Sequence, residues 1–292
     1  MAFNVQTFKT RSLSAVFFVL IMLAGLLVSH WTFLLLFTII HFGCWKEFRY
    51  LMGLIDEDYK QLSPFHVYGV PLLGWGFMLW MTNDAYRLGS FHVYEMGWWL
   101  ILLMIVVLPV TEILFSRQLM LKRLGYSLLG LLYISLSWGL MIDLRNIGLG
   151  NAGALFSRDL GWVFPMVLIA SIWINDTMAY IVGSFIGKTP FSSISPKKTW
   201  EGTAGGAILA VAAVTLLGHY AFGLQDTRSL LVISAIAAVI GTMGDLLESK
   251  LKRLAGVKDS GSMMPGHGGF LDRFDSLLLA TPFVWLYIRL FV

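Results

Sequence analysis

Between Ser249 and Asp275 the chain reads SKLKRLAGVKDSGSMMPGHGGFLDRFD. This is five basic residues, three aspartates, one histidine and five glycines between two apolar runs. Aspartates supply the hard oxygen ligands that Mg²⁺ prefers, and lysine and arginine suit phosphate oxygens. Glycines let the backbone approach a ligand closely. In a chain that is 57% hydrophobic and 13% charged, this mixture points to metal-assisted phosphate chemistry on a lipid. A second polar segment, GKTPFSSISPKKTWEG at 187–202, adds Lys188, Lys197 and Lys198 with the hydroxyls of Ser192, Ser193, Ser195 and Thr199. It is not a P-loop, because GxxxxGK[ST] is absent and the segment joins apolar runs rather than a strand and a helix. Its plainer reading is a basic loop lying on anionic headgroups. Pro196 and Trp200 suggest a more shaped segment.

Ionisable groups at membrane depth are costly and point to function. Asn175 and Asp176 sit in WINDTMAYIVGSFIG, with Tyr180 one helical turn on and on the same face. Asp245, Glu248 and Lys252 form one stripe, and Ser249 lies four residues from Asp245. Asp272 and Asp275 share a helical face, which suits joint coordination of a cation. Each has a structural alternative. Asp176 suits a polar bond to a neighbouring helix, and Asp245 and Glu248 suit pairing with Lys252 or Arg253. Asp272 and Asp275 suit the positive end of a helix dipole. A shared membrane face beside the glycine-basic loop favours the functional reading of all three. His267, within PGHGG, suits donation to a phosphoryl oxygen or acid/base work. Glu47 and Glu112 read as structural, and Asp143 and Asp159 as interfacial.

The elements that must carry these residues are membrane helices. Apolar runs at roughly 12–29, 31–48, 65–83, 96–115, 124–143, 161–183, 203–223, 229–248 and 274–292 predict an all-α polytopic protein of about nine spans. The second run is the weakest, because Lys46, Glu47 and Arg49 interrupt it. Residues 1–11 and the first apolar stretch lack a small-x-small cleavage site and read as a retained helix. With the N-terminus in the cytoplasm, the lysines and arginines near 9–11, 46–60, 117–123, 188–198 and 250–273 fall inside. Only Arg87, Arg145, Arg158, Arg228 and Arg289 of the 21 fall outside, as the positive-inside rule demands. Both long polar segments then face the cytoplasm, and 148–159 is an outer connection. Residues 1–150 become a scaffold of about five helices with lipid access. Residues 151–292 become about four helices with the catalytic loops 184–202 and 249–273. The lone Cys44 permits no intramolecular disulfide.

The stretch 249–275 resembles the signature of the phosphatidate cytidylyltransferases, the CDP-diacylglycerol synthases. The matching residues are Ser249, Lys252, Arg253, Lys258, Asp259, Gly261, Pro265, His267, Gly268, Gly269, Asp272, Arg273 and Asp275. The likeness extends to 175–188, 195–202 and 244–253, while the first 150 residues agree only in helix number and character. Met264 is a mild departure. The resemblance implies that CTP and phosphatidate react to CDP-diacylglycerol and pyrophosphate, with Mg²⁺ and a possible K⁺ in a paired metal site. It implies Asp245, Asp272 and Asp275 as cation ligands. Lys252, Arg253, Lys258, His267 and Arg273 join them at the catalytic centre. Asp176, Tyr180, Ser195, Lys197, Lys198, Thr199, Ser249, Gly268 and Gly269 line the substrates. The resemblance is compatible with a homodimer and implies no nucleic-acid partner. The compact form without long tails points to an inner bacterial membrane, with an organelle membrane as the alternative. A diverged paralogue, another CTP-dependent lipid phosphotransferase and an ion-coupled transporter stay open; the missing two-fold internal symmetry speaks against transport.

Overall fold

A computed structural model describes residues 5–115, 121–150, 160–192, 194–263 and 268–292. In hydrocarbon every backbone polar group needs a partner within its own segment, so the apolar runs become helices. They are α1 (Val5–Leu27), α2 (His30–Ile55), α3 (Pro64–Trp80), α4 (Val93–Phe115), α5 (Leu121–Gly130), α6 (Leu136–Gly150), α7 (Val163–Ile186), α8 (Trp200–Leu216), α9 (Thr227–Leu254) and α10 (Leu271–Phe291). A π-turn, Leu131–Ser135, makes α5 and α6 one run, and another, Leu217–Ala221, extends α8.

Helix thus occupies each of the nine expected runs. Six segments are long and apolar enough to cross a membrane: 93–115, 122–147, 163–186, 200–221, 227–254 and 271–291. The protein is an all-α membrane protein with one small departure. Strands β1 (Arg87–Leu88) and β2 (Phe91–His92) form a hairpin between α3 and α4, turning at Gly89 with φ 65°. Helix α2 runs unbroken through Lys46, Glu47 and Arg49. The outer connection expected at 148–159 lies outside the described residues beyond Gly150.

Short polar caps set the helix starts. Ser29 Oγ accepts from Thr32 N at 3.1 Å, and Thr32 Oγ1 returns the favour to Ser29 N at 3.0 Å, a capping box that opens α2. Asp226 caps α9 through Ser229 N at 3.0 Å. Hydrogen bonds from Ser229 hold the Asp226 carboxyl below its ordinary range. The end of α2 is tied to the start of α5 by Asp56 and Lys122, 2.8 Å apart. The hydrogen bond from Lys122 lowers the Asp56 carboxyl in turn.

Packing joins the two halves of the chain. Helix α10 lies against α9, α6, α7 and α2. Its Phe274 meets Trp138 of α6 edge-on at 5.6 Å, and Trp138 meets Phe37 of α2 at 5.1 Å. All three side chains are buried. The start of α10 meets α2 at Glu47. Its far end meets α6, where Asp143 accepts from Trp285 at 2.7 Å and from Arg289. The ends of α2, α7 and α9 and the starts of α8 and α10 therefore gather at one end of the bundle. Both polar segments lie there.

Candidate active site

The segment before α8 is folded back on itself. Phe191 N donates to Lys198 O at 2.7 Å and Trp200 N to Thr189 O at 2.9 Å, and the Phe191 and Trp200 rings meet at 4.5 Å. Glu201 accepts from Lys188 N, Thr189 N and Thr189 Oγ1. The Thr199 hydroxyl caps α8 by accepting from Gly202 N at 3.2 Å. A shaped loop replaces the simple electrostatic patch. Its product is the position of Lys198, half-buried and pointing at α9.

The α7–α8 seam fixes what lies beneath. A Cβ on Gly202 would meet Gly183 Cα at 2.9 Å, and one on Gly206 would meet Ala179 Cα at 2.7 Å. Small residues four apart on both helices bring the backbones together, and so bring Asp176 under the Lys198 loop.

Lys198 pairs with Asp245. Ser249 Oγ donates to the other oxygen of Asp245 at 3.3 Å. Across the α9–α10 contact, the backbone of Gly244 rests on the carbonyl of Asp275. Asp245 and Asp176 both act electrostatically on the Asp275 carboxyl, and Asp176 also feels Lys198. Carboxylates from α7, α9 and α10 thus lie within electrostatic range of one another, and Lys198 pairs directly with the one on α9.

One turn away, Lys252 bridges two more carboxylates, Glu248 on its own helix and Asp272 Oδ1 at 2.6 Å. Glu248 is therefore the partner of Lys252, as the structural reading had it, while Asp245 turns to Lys198 instead. Asp272 Oδ2 accepts from Gly269 N at 2.7 Å, and from Ser260 N and Ser260 Oγ, each at 2.9 Å. Glu47 of α2 accepts from Ser260 Oγ at 2.7 Å, Phe270 N at 2.8 Å and Leu271 N at 2.9 Å. Gly268 sits at φ 80°, and a Cβ there would strike the Asp272 carboxylate. Gly261 and Gly269 have no room for a Cβ because Glu47 fills it. The close approach these glycines allow is made to carboxylates of this chain.

The donor sets differ in what they have left to offer. Asp272 accepts three hydrogen bonds on Oδ2 and Lys252 on Oδ1, whereas Asp245 meets one lysine and one hydroxyl. Although Asp272 and Asp275 lie one turn apart, they face different partners. Asp275 accepts from Ser276 N at 2.6 Å and faces Asp245. Among the described residues no group of three or more His, Cys, Asp or Glu is close enough to cage a metal ion. Mg²⁺ does not need such a cage, since it is commonly held by one or two carboxylates with substrate phosphates and water. Asp245 and Asp275 fit that role; Asp272 fits a structural one.

Other expected residues surround this centre. Lys197, Arg253, Lys258 and Arg273 are exposed, and Ser195 is half-buried. Arg273 lies within electrostatic range of Asp272 and Asp275. Arg253 reaches Val257 O at 3.5 Å. Tyr180 is 77% exposed on α7. His267 lies outside the described residues. Glu47 is the residue whose part in this site the sequence hid. Its signal was a buried acid in an apolar helix. A cavity of about 520 Å³ between α2 and the loop is lined by Gly43, Lys46, Glu47, Tyr50, Ser260, Ser262 and Phe270, among others.

The cytidylyltransferase family model matches residues 9–291. The chain belongs to the cytidylyltransferase family. Among curated relatives, it is 34% identical over 221 residues to a phosphatidate cytidylyltransferase of Bacillus subtilis, covering 75% of this chain and 77% of the relative. It is 37% identical over 162 residues to the chloroplastic phosphatidate cytidylyltransferase 4 of Arabidopsis thaliana, covering 54% and 41%. With the Thermotoga maritima phosphatidate cytidylyltransferase it shares 40% identity over 142 residues, covering 46% and 52%. The family match takes in α2, and with it Glu47, as well as the motif-bearing helices.

Proposed function

We propose that this protein is a phosphatidate cytidylyltransferase that joins CTP to phosphatidate, giving CDP-diacylglycerol and pyrophosphate. Family membership supports the reaction. The observation that carries the site is the pairing of Lys198 with Asp245 beside the close α9–α10 approach, where the backbone of Gly244 rests on the carbonyl of Asp275. It lies at the bundle end that also holds Lys252 and the exposed Lys197, Arg253, Lys258 and Arg273.

The reaction brings two anions together. A phosphate oxygen of phosphatidate forms a bond to the α-phosphorus of CTP, and the bond to the bridging β-phosphate oxygen breaks to release pyrophosphate. The attacking oxygen is already ionised, so the site must neutralise charge and align the groups more than it must remove a proton. Asp245 and Asp275 would hold Mg²⁺, which supplies charge neutralisation at the phosphates when bound. A neighbouring K⁺ would belong to the same carboxylate group, with Asp176 at its edge. Lys198, beside Asp245, would offer its positive charge to substrate phosphate. Lys252 is held by Glu248 and Asp272 at a fixed point one turn away, a second positive charge with little freedom. The exposed Lys197, Arg253, Lys258 and Arg273 receive the triphosphate and the departing pyrophosphate. Thr199 and Ser249 hold Lys198 and Asp245 in place.

In this reading nine helices span an inner bacterial membrane with the N-terminus and the site on the cytoplasmic side, where CTP is. A homodimer is compatible with it. The test is purified protein in detergent with radiolabelled CTP, phosphatidate and Mg²⁺. The expected products are a CDP-lipid and pyrophosphate, abolished by EDTA and restored by excess Mg²⁺. No product under conditions where the B. subtilis relative works would overturn the assignment. A labelled product made from a polyprenol instead would place the protein among other CTP-dependent lipid enzymes.

A further inference from the structure

We infer that Glu47 is a positioning residue for the catalytic loop, although it comes from α2, far in sequence from the motif. The inference rests on the cytidylyl-transfer reading of the site. A buried carboxylate on an apolar helix is expensive unless its oxygens are satisfied. Glu47 is 8% exposed, and its donors, Ser260 Oγ, Phe270 N and Leu271 N, all come from the loop and the first residue of α10. It therefore fixes how the loop enters α10.

The Ser260 hydroxyl carries this placement to the site. Its oxygen lies 2.7 Å from Glu47 Oε2 and 2.9 Å from Asp272 Oδ2. One proton thus serves two carboxylates, and a shift of either oxygen is felt by the other. Asp272 Oδ1 in turn holds Lys252 at 2.6 Å. The line from α2 to the lysine is Glu47, Ser260, Asp272, Lys252. Gly261 and Gly269 are required at the two places where the loop closes over Glu47, because any Cβ would collide with its carboxylate. Phe270 completes the clamp by packing its ring on Gly43, one turn before Glu47. Neither glycine is thereby assigned to substrate.

The experiment compares the full-length wild type with Glu47→Gln, Ser260→Ala and Glu112→Gln in detergent. Glu112 is an equally buried acid, 3.2 Å from His66 in the α3–α4 contact, and controls for the loss of any buried carboxylate. Two readouts are taken on protein that elutes as a single species. Amide hydrogen exchange at Phe270 and Leu271 should quicken in Glu47→Gln and stay at the wild-type rate in Glu112→Gln. The kcat of Glu47→Gln should fall about 10²-fold, as misplacement by an ångström does, and half-saturating Mg²⁺ should rise several-fold. Ser260→Ala should move both kinetic values in the same direction by less. A merely structural role would lower the yield of folded protein but leave kcat per folded molecule and the Mg²⁺ profile unchanged; that result overturns the proposal. So does normal exchange at residues 270 and 271. If Glu47→Gln does not fold, Ser260→Ala decides by the same two readouts. A wild type without transfer activity overturns the functional reading instead, and the exchange result then decides on the clamp alone.

Discussion

Two aspartates one helical turn apart on α10 should respond differently to the same isosteric change. Asp272 accepts three hydrogen bonds on one oxygen and a lysine on the other. Hydrogen bonds to a charged group contribute about 1.5–3 kcal/mol each, and an asparagine can offer only one oxygen to these donors. Asp272→Asn should therefore abolish turnover and lower the melting temperature by several degrees, at roughly 2–4 °C per kcal/mol for a chain of this size. Asp275 instead accepts from Ser276 N at 2.6 Å, a bond that the oxygen of asparagine keeps. Asp275→Asn should abolish turnover with a melting temperature close to that of the wild type. Thermal scanning beside the radiolabel assay checks both. Near-normal turnover in Asp275→Asn, or a wild-type melting curve for Asp272→Asn, would refute the division of roles. The sequence made the carboxylates of α9 and α10 visible because their three- and four-residue spacings put them on helix faces. It could not separate Asp272 from Asp275 by role. That distinction depends on Glu47 and Ser260, which are 213 residues apart and joined only by tertiary packing.

At the scale of elements, apolar run length foretold where each helix lies, since hydrocarbon leaves the backbone no other choice. The β1–β2 hairpin escaped because its strands are two residues each and no alternation can register over so short a span. The α7–α8 seam also escaped, although Gly202 stands in the motif-bearing segment itself and Gly206 lies one turn beyond it. In the fold these glycines let two backbones touch, a contact that residue type and spacing alone do not announce. Gly206→Leu would place a side chain where the backbone of Ala179 lies. Overpacking of this kind costs about 1–3 kcal/mol, and here the helices must part to relieve it. Parting them moves Asp176 away from the Lys198 loop. Gly206→Leu should keep enough fold to be purified but lose at least about tenfold in kcat/KM for CTP, the equivalent of 1.4 kcal/mol. Gly125 on α5 has no atom within 4 Å of a built Cβ, so Gly125→Ala should be fully active and slightly more stable, given alanine's helix preference. Equal activities of the two variants would show that the seam does not set the site.

For the whole molecule, the charge distribution and the packing make one joint prediction about sidedness. The five arginines assigned outside and the basic clusters assigned inside follow from composition alone. The contacts independently bring the ends of α2 and α9 and the starts of α8 and α10 to one end of the bundle, with Asp143 and Arg289 paired away from it. In the proposed orientation Lys258, beside the site, is cytoplasmic. Leu88, 56% exposed at the hairpin turn, is on the outer side because α3 carries the chain from one end of the bundle to the other. The single native cysteine, Cys44, is buried, so it gives an impermeant maleimide little to react with. In sealed right-side-out vesicles, Leu88→Cys should label and Lys258→Cys should not. In inverted vesicles the pattern should reverse, and detergent should expose both. The opposite pattern would put the site on the far side from cytoplasmic CTP. Labelling of both positions from one side would remove a crossing between them. Either result would break the link between the positive-inside count and the place where the lipid phosphate must meet its nucleotide.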